Sequence, residues 1–190
     1  MNSLFQAGLE VQKFLKAKKW PFCYIGGLAV IRWGEIRMTQ DIDLCLLSGF
    51  GNEETYINAI LDKYVSRISD PVEFAIKNRV LLIYASNGVS VDISLSGLQF
   101  EEKMIERATA FSFMKRCSLM TCSAEDLIVL KAFAGRATDW MDVEGIIMRQ
   151  GTSLDFDYII KQVTPLCTLK EEPEILTRLQ HIINQNLEKR

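Results

Sequence analysis

Between Asp41 and Leu47 the chain alternates with period two. Asp41, Asp43 and Cys45 fall on one face of an extended segment, and Ile42, Leu44 and Leu46 on the other. A strand with one apolar face has to lie on a core. Its two carboxylates then stand together on the opposite face, with Cβ atoms roughly 6 to 7 Å apart from the strand rise. A second stretch repeats the pattern: Val89, Val91, Ile93 and Leu95 share a face, and Ser90, Asp92 and Ser94 share the other. Arg79–Ala85 precedes it, and Asn87-Gly88 between two β-rich runs predicts a hairpin. Phe22–Ile25 is a further short apolar run that ends in Gly26-Gly27, a strand entering a tight turn.

Helical patterns surround these strands. They are predicted over residues 3–18, Leu28–Trp33, Glu53–Ser66 and Phe100–Ala108, with an extended stretch over Phe111–Met120. Ser123 reads as an N-cap with Asp126 three residues later, opening a helix through Ala134 that Gly135 ends. Thr138 is expected to cap another helix through about Met148, and residues 155–163 and 172–188 read as two more. The expected fold class is therefore α/β (α+β): a mixed β-sheet core over 1–120 flanked by helices, then a helical C-terminal part over 121–190 packed on it as one compact unit. A length of 190 residues, 48% apolar and 24% charged, suits one such domain with a helical annex.

Composition removes several function classes. Net charge is −2, so no global basic field draws the chain to nucleic acid; the cluster Lys13, Lys16, Lys18 and Lys19 reads as a solvated helix face. Five cysteines, none in C-x-x-C spacing, and a single histidine, His181, argue against a zinc site and against a Ser-His or Cys-His nucleophile. The thiols read as reduced and partly buried. The chain has no stretch of about 18 uncharged apolar residues, and its start is amphipathic rather than signal-like, so a cytoplasmic protein without a membrane segment is expected. Chemistry here rests on carboxylates, lysines and a metal.

Taken singly, the motifs are weak. Asp41-Ile42-Asp43 suits a hard divalent cation, which magnesium sites bind with one or two carboxylates, waters and substrate phosphates; the same pattern also suits a charged edge strand. Gly26-Gly27 at a strand-to-helix turn would bare backbone N–H groups to an anion, or serve only as a turn. Asp92 would share the metal or activate a hydroxyl, or simply face solvent. Their order is more telling: apolar-Gly-Gly, thirteen residues, Asp-apolar-Asp-apolar, then a later Asp on a strand.

That order resembles the nucleotidyltransferase superfamily with a polymerase-β-like core. Ile25-Gly26-Gly27 and Asp41-Ile42-Asp43-Leu44 match its first motifs, and Asp92 in VSVDISL falls at its third carboxylate. The segment Arg37-Met38-Thr39-Gln40-Asp41-Ile42-Asp43-Leu44 is similar to that of the AbiEii-like branch, which includes toxins of bacterial toxin–antitoxin and abortive-infection systems. The branch also carries an E-D-L-apolar…K helix followed by R-x-x-D-x-x-D, here Glu125-Asp126-Leu127-Ile128, Lys131, Arg136, Asp139 and Asp142. Thr138 departs from the Lys or Arg that the branch often places just before the Asp of the last motif. The likeness spans about residues 22–150 and says little about 151–190.

The resemblance implies a magnesium-dependent transfer of a nucleoside monophosphate from an NTP to a hydroxyl acceptor, which could be RNA or tRNA, a protein or a small molecule. It implies two magnesium ions on Asp41, Asp43 and Asp92, with triphosphate held by Gly26 and Gly27 and neutralised by Lys131. Arg37 and Thr39 are candidates for phosphate contact; a surface ion pair and a turn-shaping role are the plainer alternatives. Arg136, Asp139 and Asp142, at i, i+3 and i+6, read as a helix-surface salt-bridge set. Trp20, Trp33 and Trp140 read as core rather than base-stacking residues. The likeness leaves open a toxin with a partner antitoxin protein, and a catalytically silent nucleotide-binding or protein-interaction module on the same fold.

Overall fold

The computed structural model describes residues 3–188. The chain divides into two compact units: the residues up to Leu28 together with Met38–Cys122, and Ala29–Arg37 together with the residues from Ser123 onward.

The first unit is built on a seven-stranded mixed sheet. Its strands are β1 (Phe22–Tyr24), β2 (Asp41–Leu47), β3 (Val65–Ser66), β4 (Val80–Tyr84), β5 (Ser90–Ser96), β6 (Thr109–Met114) and β7 (Cys117–Thr121). They lie in the order β3-β4-β5-β2-β1-β7-β6. β2 runs antiparallel to β1 and parallel to β5, so the sheet is mixed, as the sequence pattern led us to expect. The predicted faces hold: Ile42, Leu44 and Leu46 are fully buried, as are Val91, Ile93 and Leu95 on the neighbouring strand. Cys45 is buried too, so the centre of the sheet is covered on both sides.

Helices α1 (Ser3–Ala17), α3 (Glu53–Leu61), α4 (Pro71–Asn78) and α5 (Gln99–Glu106) belong to this unit. α1 presents Leu4, Ala7, Val11 and Leu15 to the core at helical spacing. Its buried Gln12 is explained by β7: the amide donates to Ser118 O at 2.8 Å and accepts from Met120 N at 2.9 Å. β1 pairs β7 only at Tyr24↔Thr121, so the glutamine satisfies backbone groups that the short strand leaves open.

Two local expectations change. The helix predicted over Glu53–Ser66 stops at Leu61; Val65 and Ser66 instead form the edge strand β3 against Tyr84 and Ile83. Tertiary pairing overrides the helical period there. The predicted extended stretch Phe111–Met120 is a hairpin, β6 and β7, turned at Arg116 with φ of 67°. α4, opened by Pro71 at its first position, was missed altogether, although proline there is a helix-start signal.

The second unit is helical. α2 (Gly26–Trp33) leads into it, and α6 (Ala124–Ala134), α7 (Ala137–Gln150), α8 (Phe156–Lys170) and α9 (Glu174–Glu188) complete it, with a 3₁₀ turn at Gly151–Ser153. α6 is buried on nearly every side and touches α7, α8 and α9, which makes it the centre of the bundle. Its N-cap is as expected: Ser123 Oγ accepts from Asp126 N at 3.1 Å, and Gly135 ends it at φ of 72°. α7 begins earlier than expected, behind Arg136 rather than Thr138, and makes no side-chain cap bond. α8 continues past residue 163, through Pro165 to Lys170, because Leu166 and Cys167 remain on its buried face. No helix among the described residues is long and apolar enough to cross a membrane.

Candidate active site

The three carboxylates come from two adjacent strands of the first unit. Asp41 and Asp43 sit at the start of β2, two residues apart and on one face. The parallel register pairs Asp43 with Asp92 of β5 and Asp41 with Ser90. Partners in a ladder point to the same side, so all three carboxylates share one face at the same end of the sheet. Asp41 is exposed, and Asp43 and Asp92 are half-buried.

The glycines bring a third chain segment to this place. The β1–β2 pairing continues past β1, with Ile25 N donating to Asp43 O at 3.0 Å, and sets Gly26 directly beside Asp43. A Cβ on Gly26 would lie 1.9 Å from Asp43 Oδ2, and φ there is +55°. Both the space and the backbone angle demand glycine. A Cβ on Gly27 would lie 2.4 Å from Thr39 Oγ1. Thr39 in turn donates to Asp41 Oδ1 at 2.9 Å, so it holds one of the carboxylates. Gly26 and Gly27 also open α2, whose first N–H groups have no partner within the helix.

In the second unit, four charged side chains of the later motif meet Arg37. Arg37 grips Asp142 with two hydrogen bonds, Nε to Oδ1 at 2.9 Å and Nη2 to Oδ2 at 3.0 Å. Lys131 Nζ reaches Asp139 Oδ1 at 2.8 Å and Asp142 Oδ2 at 2.9 Å. Arg136 closes the set on Asp139 at 2.6 Å. The expectation of a helix-surface set is corrected: Asp139 and Asp142 are buried, and their partners come from α6 and from the segment after α2 as well as from α7. An uncompensated buried carboxylate is costly, so the cations are drawn in. Burial pushes the Asp139 carboxyl up, but hydrogen bonds from Arg136 and Lys131 outweigh it and hold it below the ordinary carboxylate value.

Arg37 also lines a cavity of about 290 Å³ with Glu35, Ile36, Thr138, Met141 and Asp142. Trp140 is core, as expected, with its indole N–H on Gly135 O at 3.1 Å. Trp20 packs on Tyr56 with ring centroids 4.6 Å apart, and Trp33 lies under Arg32 at 3.9 Å.

One neighbour of the carboxylates escaped the sequence reading. Arg67, just after β3, donates through Nη1 to Asp92 Oδ1. Nothing in the local sequence signals this; the two residues meet only through the β3-β4-β5 order.

Among the described residues no group of three or more metal-ligating side chains stands ready-made around a metal position. The donor chemistry nonetheless fits a hard divalent cation, since three carboxylates share one face at the same end of two adjacent strands and Gly26 places no side chain over the Asp43 oxygen.

Comparison with known proteins gives the family and the fold. The family described as nucleotidyltransferase of unknown function (DUF6036) matches residues 2–183. Among curated proteins none matches the chain. An antigenic nucleotidyltransferase-like protein from Paracoccidioides brasiliensis has the same fold, with a TM-score of 0.52 at 14% identity over 96% of this chain and 93% of its own. The antibiotic-resistance factor ANT(2'')-Ia gives 0.54 at 14% identity, over 93% of this chain and 96% of its own. The lincomycin-bound lincosamide antibiotic adenylyltransferase LnuA gives 0.51 at 13%, over 74% of this chain and 94% of its own. With nearly its whole length matched, the chain belongs to the DUF6036 family of nucleotidyltransferases.

Proposed function

We propose that this protein is a magnesium-dependent nucleotidyltransferase that moves a nucleoside monophosphate from an NTP to a hydroxyl acceptor. The observation that carries the reading is the register of Asp43 with Asp92, which joins them to Asp41 on one face beside Gly26. Asp41 and Asp43 would hold the metal, and Asp92 would join them. A bound magnesium pair supplies charge stabilisation at the attacking and leaving oxygens.

The chain's own residues carry the remaining roles. Thr39 keeps Asp41 oriented through its hydroxyl. The N–H groups at the start of α2 hold phosphate oxygens, aided by the positive end of the helix. Asp92 accepts the proton of the acceptor hydroxyl. That oxygen forms a bond to the α-phosphorus, the bond from the α-phosphorus to its bridging oxygen breaks, and pyrophosphate leaves. Lys131 already balances Asp139 and Asp142. It therefore fixes Asp142, the acid that Arg37 grips.

A small-molecule acceptor is favoured. The neighbouring LnuA structure is lincomycin-bound, and ANT(2'')-Ia has a structure with adenylyl-2''-tobramycin. The likeness of the Arg37–Leu44 segment to the AbiEii-like branch is what a second reading, a toxin role beside an antitoxin, rests on. Incubation with each α-³²P NTP, Mg²⁺ and RNA, lysate or hydroxylated antibiotics tests the reading. Transfer by the intact protein but not by Asp41→Ala/Asp43→Ala is expected, and mobility of the label reports the acceptor. Loss of both transfer and Mg²⁺-dependent NTP binding in the intact protein would sink it. Growth arrest on expression of the intact protein, relieved by the double substitution, is the expected mark of the toxin role.

A further inference from the structure

Asp92 carries an ionic partner within its own unit, Arg67, which lies just after the two-residue edge strand β3. We infer that Arg67 is a resident counter-ion for Asp92 which a divalent cation must displace, so that Arg67 sets how much cation the site requires. This rests on the reading that Asp41, Asp43 and Asp92 hold the metal.

The geometry supports an exchange rather than a permanent brace. The Arg67 and Asp92 side chains keep 26% and 32% of their exposure, so water reaches both and neither is locked in the core. Arg67 is anchored by its backbone, whose N–H bonds Leu82 O at 3.0 Å, and Leu82 stands in register with Asp92. The guanidinium can therefore swing away while the chain stays in place. β3 is a two-residue edge strand, and the turn after it is held locally, by Ser66 Oγ to Ile68 O at 2.8 Å. Releasing the side chain breaks no ladder bond.

Charge gives the direction. A guanidinium brings one positive charge to Asp92 Oδ1, and a divalent cation brings two to the same face and interacts with Asp41 and Asp43 as well. The two cations repel each other and compete for one oxygen. With no divalent ion, Arg67 holds the Asp92 side chain in place. When the ion arrives, Arg67 is released on the side of the sheet where β3 and β4 lie. Its removal should tighten cation binding, whereas removal of a mere positioning residue should loosen it.

Mn²⁺ binding to the full chain without nucleotide, followed by electron paramagnetic resonance of the free aquo ion, tests this. Arg67→Ala should tighten binding about three- to tenfold, the scale of one half-exposed ion pair, with Arg67→Lys between it and the intact protein. In an Asp92→Asn background the same substitution should change binding by less than about twofold, because the contested negative charge is gone. Lys115→Gln, which removes a remote surface charge, controls for net charge alone. Circular dichroism checks that each variant is folded, and the lysine variant carries the test should the alanine variant fail to fold. Measurable Mn²⁺ binding that Arg67→Ala and Arg67→Lys leave unchanged or weaken would overturn the inference while leaving the metal reading intact. No Mn²⁺ binding by the intact protein would overturn both.

Discussion

Gly26 shows how much a single residue can carry. Its backbone sits at φ +55° and its missing Cβ leaves room for Asp43 Oδ2. Alanine there would put a methyl group where the oxygen is, and would pay about 1 to 2 kcal/mol for the left-handed angle besides. Gly26→Ala is therefore expected to cut nucleotidyl transfer by about 10²-fold or more, since displacing a reacting group by about an ångström costs that much. Far-ultraviolet circular dichroism should stay helical. A variant with normal transfer would detach Gly26 from the site. The glycine pair was legible as a turn with exposed N–H groups. Its contact with Asp43 was not, because that distance is set by strand pairing across residues 25 and 43. Arg67 was invisible for the same reason: its partner lies 25 residues away and two strands over.

At the scale of elements, α6 and α7 are joined by charge as well as by apolar packing. Lys131 lies buried between Asp139 and Asp142, and removing it would strip each buried carboxylate of one of its two cationic partners. Lys131→Met should lower the unfolding free energy by about 3 to 5 kcal/mol, read from urea denaturation. A residue that served only bound nucleotide would leave that midpoint unchanged. The cluster also predicts an acid limit. The folded carboxyl of Asp139 is depressed below its unfolded value of about 3.9, so its contribution is present above that pH. It is lost as pH falls through the lower, folded value. Urea midpoints measured downward from pH 6 should drop below about pH 4, and Asp139→Asn should flatten that drop. Sequence spacing identified this motif but read it as a surface set. Spacing along a helix says which residues share a turn, and it is silent about which other elements cover them.

For the molecule as a whole, the thiols give a direct readout of packing. All five cysteines are buried thiols outside any disulfide. Burial pushes the Cys45 thiol up to about 12, and it pushes Cys117 and Cys167 up as well. Thiolate is the reactive form, so the folded protein should react slowly with DTNB at pH 8. Guanidinium should release all five thiols at once. Fast labelling of the native protein would mean that the strands β1 and β2, which hold Cys23 and Cys45 opposite each other, are open to solvent.

What could be read from one sequence was whatever repeats at short range. Period two announced β2 and β5 with their buried faces, the Asn-Gly turn announced the β4–β5 hairpin, and Ser123 and Gly135 marked the ends of α6. The order of Gly-Gly, Asp-x-Asp and a lone Asp was enough to suggest the superfamily, and the family match bears that out. Only the folded chain decided what meets across distance: Asp43 beside Asp92, Arg67 on Asp92, and Arg37 and Lys131 on Asp142. It also decided that Val65 and Ser66 pair as a strand instead of prolonging a helix. The physical reason is that local preference amounts to a few tenths of a kcal/mol per residue, whereas ladder pairing and the neutralisation of buried charge act between segments far apart in the chain.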